Sequence, residues 1–135
     1  MIMGIPVSEY LQMQQRLSRQ ARGLGEVIAS KADAVPAGEE IERLHNPTCK
    51  WLTEHGIAYV HNRPDRRSTA TEGAPDFTIA AGAGRVVFVE FKTVEGKLSV
   101  KQREWHFLSE RAGTTVHVIR SLGKFLELMK ECGVE

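Results

Sequence analysis

Val86-Val87-Phe88-Val89 is an uninterrupted apolar run that leads directly into Glu90-Phe91-Lys92. Branched and aromatic residues in a short run read as a β-strand. A charged Glu-x-Lys at the end of such a strand needs a reason to be there, because a sheet interior disfavours unpaired charge. Just ahead lies Gly82-Ala83-Gly84, a turn, and ahead of that Asp76 to Ala80, a second apolar strand. A short Gly-containing loop between two such runs is a hairpin signal. This hairpin constrains the fold, and it sets Asp76 and Glu90 at the same end of two adjacent strands.

The rest of the chain supplies cover for that sheet. Residues 39 to 55 read as a helix, with Ile41, Leu44, Thr48, Trp51 and Leu52 at helical spacing and Gly56 as its stop. Pro47 inside it predicts a kink or a late helix start. Ile57 to His61 alternate as a short strand. Asn62 to Gly73 is a polar loop, and loops of that length are often functional. Val86 to Lys92 is the third strand. Ser99 caps a helix from Val100 to Arg111, ended by Gly113. Thr115 to Ile119 is a fourth strand, and Ser121 caps a last helix that stops near Gly133. The first three strands can form an antiparallel meander. The fourth arrives through a helical crossover and can lie parallel to a neighbour. Residues 7 to 22 read as a separate helix and 23 to 38 as a Gly- and Ala-rich linker, so the expected division is a helical arm over 1–37 and a compact domain over 38–135.

Composition excludes several classes. Hydrophobic content of 41% and charged content of 26% are those of a globular protein. No apolar stretch approaches the roughly 20 residues of a membrane span, and the first residues do not read as a secretory signal. Cys49 and Cys132 give neither a disulfide framework nor zinc spacing, so the expected setting is a reducing cytoplasm. Cys49 reads as a small buried helix residue. The net charge of +1 gives no global support for nucleic-acid binding, which must rest on local charge.

Asp76 and Glu90 together offer a hard oxygen site suited to Mg²⁺ or Mn²⁺. Lys92, two residues beyond Glu90, shares its face of the strand and can reach a water or phosphate held there. That set suits phosphodiester hydrolysis. The plainer alternative is that Asp76 caps a turn after Pro75 while Glu90 and Lys92 form a same-face ion pair. The five histidines lack metal-ligand spacing, and only His61, at a strand end near the site, draws attention. Trp51 and Trp105 fall on apolar helix faces and read as core.

Gly73-Ala74-Pro75-Asp76-Phe77, Val89-Glu90-Phe91-Lys92 and Gly96-Lys97-Leu98-Ser99-Val100-Lys101-Gln102 resemble, in that order, the VRR-NUC branch of the PD-(D/E)XK nuclease superfamily. Pro-Asp and Glu-x-Lys are common patterns taken alone; the Gly-Lys-Leu-Ser-x-x-Gln stretch at a helix start is more specific. The resemblance runs from about Glu39 to about Leu128. It implies an α/β, restriction endonuclease-like core in the order α-β-β-β-α-β-α, with a mixed four-stranded sheet flanked by helices. It implies metal binding by Asp76, Glu90 and the Phe91 backbone carbonyl, with Mg²⁺ as cofactor and Mn²⁺ as substitute. It assigns hydrolytic assistance to Lys92 and a place beside it to Gln102. The family also uses a glutamate on its first helix; among Glu39, Glu40 and Glu42, Glu42 is the first choice and Glu40 the reserve, against a solvated first-turn charge as the alternative for each.

The activity implied is that of a metal-dependent endonuclease acting on DNA, including branched or four-way forms, with a homodimer as an economical way to enlarge the footprint. The compact form is similar to versions carried by bacteriophages, which would place it in a bacterial host cell. Lys97, Lys101 and Arg103, with Arg63, Arg66 and Arg67 in the long loop, are candidate phosphate contacts. Two rival classes remain: a non-catalytic nucleic-acid-binding module on a nuclease-like fold, and an interaction protein that assembles through its N-terminal helix.

Overall fold

The computed structural model describes residues 8, 9, 12, 33–63 and 71–134. The chain divides into two units, Met1–Lys31 and Ala32–Glu135. In the first, Ser8, Glu9 and Gln12 are helical; the remainder of the helix expected over 7 to 22 lies outside the described residues. The second unit is an α/β fold with a four-stranded mixed sheet.

Its elements begin with π-helical turns over Ile41–His45, which run directly into helix α1 (Asn46–Glu54). Strands β1 (Tyr59–His61), β2 (Phe77–Ala80) and β3 (Val86–Phe91) follow, then α2 (Val100–Arg111), β4 (Val116–Ile119) and α3 (Leu122–Glu131). The strands lie in chain order. β1 pairs antiparallel with β2 and β2 with β3, while β4 runs parallel to β3 with Glu90 opposite Val118. The meander and the parallel fourth strand expected from the sequence are therefore present.

Strand parity sorts the side chains. Val87, Val89 and Phe91 point to one face of β3, and Phe88 and Glu90 to the other. Phe77 and Ile79 join the first face and are fully buried with Leu44, Leu52, Phe125 and Met129 in one cluster. The rings of Phe91 and Phe125 lie 5.9 Å apart, which fixes α3 on that face. On the opposite face Trp105 of α2 meets Phe88 edge-on at 5.1 Å. Helices thus cover both sides of the central strand, as burial of both its faces requires. Each fully buried Phe or Leu here contributes about 1.5–3 kcal/mol.

The core also takes in Val35, which is 3% exposed. Its N–H donates to the Arg120 carbonyl at 2.9 Å and its carbonyl accepts from Val94 at 2.7 Å. The compact unit therefore begins ahead of Gly38, where composition had placed the boundary. Composition sees a Gly- and Ala-rich linker there and cannot see that one valine is pinned between two sheet-end loops.

Two local devices position the site. The first is a capping box at α2: Ser99 Oγ accepts from the Gln102 N–H at 3.1 Å, and Gln102 Oε1 accepts from the Ser99 N–H at 2.8 Å. The second is Gly73, whose φ is +87°. A Cβ there would stand 2.3 Å from the Lys101 carbonyl oxygen and 2.9 Å from the Gln102 nitrogen. The loop leading into Asp76 thus lies against the first turn of α2, backbone on backbone. Gly73→Ala combines a left-handed backbone with that clash, and urea unfolding should show a loss of about 2 kcal/mol or more; an unchanged midpoint would mean the loop does not pack there.

Candidate metal centre at the end of the sheet

In an α-helix, residues five apart are turned about 140° from each other and face apart. The π-helical turns change this. The Asn46 N–H bonds the Ile41 carbonyl, an i to i−5 link, and Glu40 and His45 come to share a face. Glu40 Oε2 and His45 Nε2 are 3.1 Å apart. Pro47, which has no N–H to offer the Arg43 carbonyl, stands in the first turn of α1. The same His45 nitrogen is 3.5 Å from Asp76 Oδ2. One ligand atom from each of Glu40, His45 and Asp76 lies within 4.8 Å of the others, the separation of groups that can hold one metal ion.

Asp76 is buried, and its Oδ2 accepts the Phe91 N–H at 2.7 Å. Phe91 thus meets Asp76 through its amide. Glu90 is 1% exposed, and among the described residues neither of its carboxylate oxygens has a hydrogen-bond partner. His106 of α2 is 4% exposed, and its Nε2 stands 3.8 Å from Glu90 Oε1, too far for a hydrogen bond. That nitrogen is also without a partner among the described residues.

Burial and crowding decide the electrostatics. Burial first, and then the Glu90 carboxylate beside it, push Asp76 from 3.8 up to about 9, against the opposing pull of His45 and the Phe91 amide. Burial also pushes Glu90 up, against the pull of the neighbouring Asp76 carboxyl in its protonated form and of the Lys92 charge. His106 is pushed down from 6.5 to about 4 by burial and then by Lys92. Two carboxylates that favour a proton, with the Glu90 oxygens and the His106 imidazole nitrogen unpartnered among the described residues, form a site short of positive charge.

Behind His45 runs a chain of side chains. His45 Nδ1 is 2.7 Å from His61 Nε2, and His61 Nδ1 is 3.3 Å from Cys49 Sγ. Facing two carboxylates, His45 Nε2 carries the hydrogen. Its Nδ1 then accepts from His61 Nε2–H, and His61 Nδ1 accepts from the Cys49 thiol, which burial keeps protonated. His61 stacks on Phe77 with ring centroids 4.3 Å apart. Cys49, expected as a small buried residue, is half-buried and serves as the end of this chain.

The structure brings together Asp76, Glu90 and Glu40, with Lys92 acting electrostatically on Glu90. It does not bring Glu42, the first choice on the first helix. Glu42 is exposed and lines a separate cavity of about 660 Å³ with Arg43 and Lys124. The π-helical turns shift the register, so the reserve residue Glu40 takes the inward position. Glu39 pairs with Arg43 at 3.4 Å. Gln102 spends its Oε1 on the capping box, which leaves its amide NH₂ as the group it can offer a ligand.

Lys97 is exposed and Lys101 pairs with Glu104 at 3.6 Å. Arg103 has a buried Nε without a partner among the described residues. Arg63 is half-buried, while Arg66 and Arg67 lie outside the described residues. Trp51 and Trp105 are half-buried against Phe125 and Phe88, in keeping with core roles. Sequence reasoning missed His45 and His106. The signal for His45 was its place five residues after Glu40 and two before Pro47, a spacing that only π-helical turns make meaningful.

No helix among the described residues is long and apolar enough to cross a membrane. No protein-family model, curated protein or solved structure matches the chain.

The pKa directions set a pH dependence for the metal-free protein. A carboxyl raised to about 9 holds a proton in the folded state that the unfolded chain releases above its ordinary 3.8. Folding takes up that proton between these values, so stability falls as pH rises. His106, lowered to about 4, acts oppositely between about 4 and 6.5, where folding excludes a proton. The two oppose each other below pH 6.5, and the carboxyls act without that offset above it. Metal-free stability, measured by urea unfolding, should decline by about 1.4 kcal/mol per pH unit for one proton from pH 6.5 toward 9. A flat or rising profile there would contradict the charge-deficient site.

Proposed function

We propose that the chain is a divalent-cation-dependent nuclease that hydrolyses DNA phosphodiester bonds on a restriction endonuclease-like core. The observation that carries this reading is the convergence of two buried carboxylates, Asp76 and Glu90, with both Glu90 oxygens lacking a hydrogen-bond partner among the described residues. Such a site is costly to build unless a cation completes it. The mixed four-stranded sheet between helices agrees with that core at the level of architecture. The order Pro-Asp, Glu-x-Lys and Gly-Lys-Leu-Ser-x-x-Gln supports the VRR-NUC assignment.

The donor set fits a divalent cation: carboxylate oxygens of Asp76, Glu90 and Glu40, with the Phe91 carbonyl as a further oxygen. When bound there, the ion supplies Lewis-acid activation and neutralises phosphate charge. The chain's own groups do the positioning. The Phe91 amide fixes the Asp76 carboxylate, and the His45 imidazole holds Glu40 and Asp76 in register. Lys92 extends from the same strand face as Glu90. Its ammonium orients the attacking water or steadies the scissile phosphate, and it stabilises negative charge as it develops. Gln102 presents its amide NH₂ to phosphate near the start of α2, with Lys97 as an exposed backbone contact. DNA is the partner, and two copies acting together would span a branched substrate.

A panel of duplex, single-stranded, flapped and four-way DNAs incubated with Mg²⁺ or Mn²⁺ tests the reading. Wild-type protein should cut at least one of them, and Asp76→Asn and Lys92→Ala should each lower the rate by about 100-fold or more. Absence of cleavage across the panel, or full activity in both variants, would overturn it. A protein that binds the panel without cutting would be the non-catalytic module.

A further inference from the structure

We infer that His106 is a cation ligand together with Glu90, and that this nitrogen makes the centre take a borderline transition ion such as Mn²⁺ or Co²⁺ in preference to Mg²⁺. The inference deepens the nuclease reading and rests on its cation.

Three buried atoms carry it. Glu90 Oε1, Glu90 Oε2 and His106 Nε2 have no hydrogen-bond partner among the described residues. Their residues are 1% and 4% exposed, so bulk water does not satisfy them. Native proteins rarely leave such atoms unpaired, and three in one place call for a ligand. The separation of His106 Nε2 from Glu90 Oε1 is 3.8 Å. A direct hydrogen bond would be about 0.8 Å shorter. Two atoms each about 2.1 Å from one ion stand about 3.0 Å apart at right angles and about 4.2 Å apart in line. The observed separation falls between these, where one ion reaches both.

The placement is as telling as the distance. Glu40 and His45 approach the sheet end from the start of α1, while His106 comes from α2 on the face that Glu90 occupies. His106 therefore offers an open imidazole nitrogen on that face, whereas the His45 Nε2 carries its hydrogen toward Glu40 and Asp76. Mg²⁺ favours oxygen and gives up its waters reluctantly. Imidazole favours the later first-row ions, with affinity rising from Mn²⁺ to Co²⁺. A site meant for Mg²⁺ alone gains nothing from a buried, unpartnered imidazole beside its glutamate.

Pulsed electron paramagnetic resonance of Mn²⁺ bound to the full chain, labelled with ¹⁵N-histidine, reads the ligation directly. Wild-type protein should show histidine nitrogen coupled to the ion. The coupling should persist in His45→Gln, because His106 remains. In His106→Gln, Co²⁺ affinity should fall at least about tenfold while Mg²⁺ affinity changes by less than about threefold. Wild-type protein without nitrogen coupling overturns the inference, and needs no variant to fold. So does coupling that disappears in His45→Gln and is unchanged in His106→Gln, or equal losses for both metals. Cleavage is scored separately: a centre that shows coupling but cuts no DNA refutes the nuclease reading and leaves this ligation intact.

Discussion

The Phe91 amide donates to Asp76 Oδ2 across 2.7 Å, and the bond ties the entry of β2 to the exit of β3. Everything chemical in the unit is arranged around it. It spends one strand-end N–H on a carboxylate and draws that carboxylate into the sheet. Glu90, one residue earlier, is then fixed beside it on the pleat. The Gly73 loop, lying backbone against backbone on α2, delivers Asp76 to that point. The π-helical turns before α1 deliver Glu40 and His45 to it from the other side.

Energetics make the arrangement informative. A fully buried Phe or Leu contributes about 1.5–3 kcal/mol. Keeping a carboxyl in a buried site costs several kcal/mol, whether it stays ionised or takes up a proton it would lack in water. Holding both Asp76 and Glu90 inside therefore cancels the gain from several core side chains. A chain of this size has few such side chains in reserve; among the described residues the fully buried large apolar ones are Phe77, Phe91, Phe125, Leu44, Leu52, Ile79, Met129 and Val89. Proteins accept local destabilisation of this kind at functional sites and compensate for it elsewhere. The His45–His61–Cys49 chain shows the contrast: its polar groups are paired in a consistent order, while the Glu90–His106 pair is left open.

Much of the fold could be read from the sequence because its punctuation is local. Ser99 marks the start of α2, Gly113 its end, and Gly82 to Gly84 the hairpin, each through chemistry confined to a few residues. Strand parity put Glu90 and Lys92 on one face of β3. The first helix was harder. Pro47 disturbs its register, and whether Glu40 or Glu42 turns inward depends on one extra residue per turn, which no periodicity rule anticipates. Asp76, Glu90 and Lys92 were visible because strand geometry alone places them together. His45 and His106 were not, because they reach the site from different helices and share no sequence spacing with it. Val35 is a similar case: its backbone bonds to Arg120 and Val94 exist only once the sheet has formed.

The central claim is that the buried carboxylates are built to be completed by a cation. The most direct test compares melting temperatures at pH 8 of the wild-type protein and of an Asp76→Asn, Glu90→Gln double variant, each with and without saturating Mn²⁺. Replacing the buried carboxyls by amides of the same shape removes the cost of holding them, charged or protonated, and should make the metal-free variant melt above metal-free wild type. Mn²⁺ should raise the wild-type midpoint by on the order of 10 °C and leave the variant unmoved. A wild-type protein that is the more stable of the two without metal, and whose midpoint Mn²⁺ does not shift, would contradict the account.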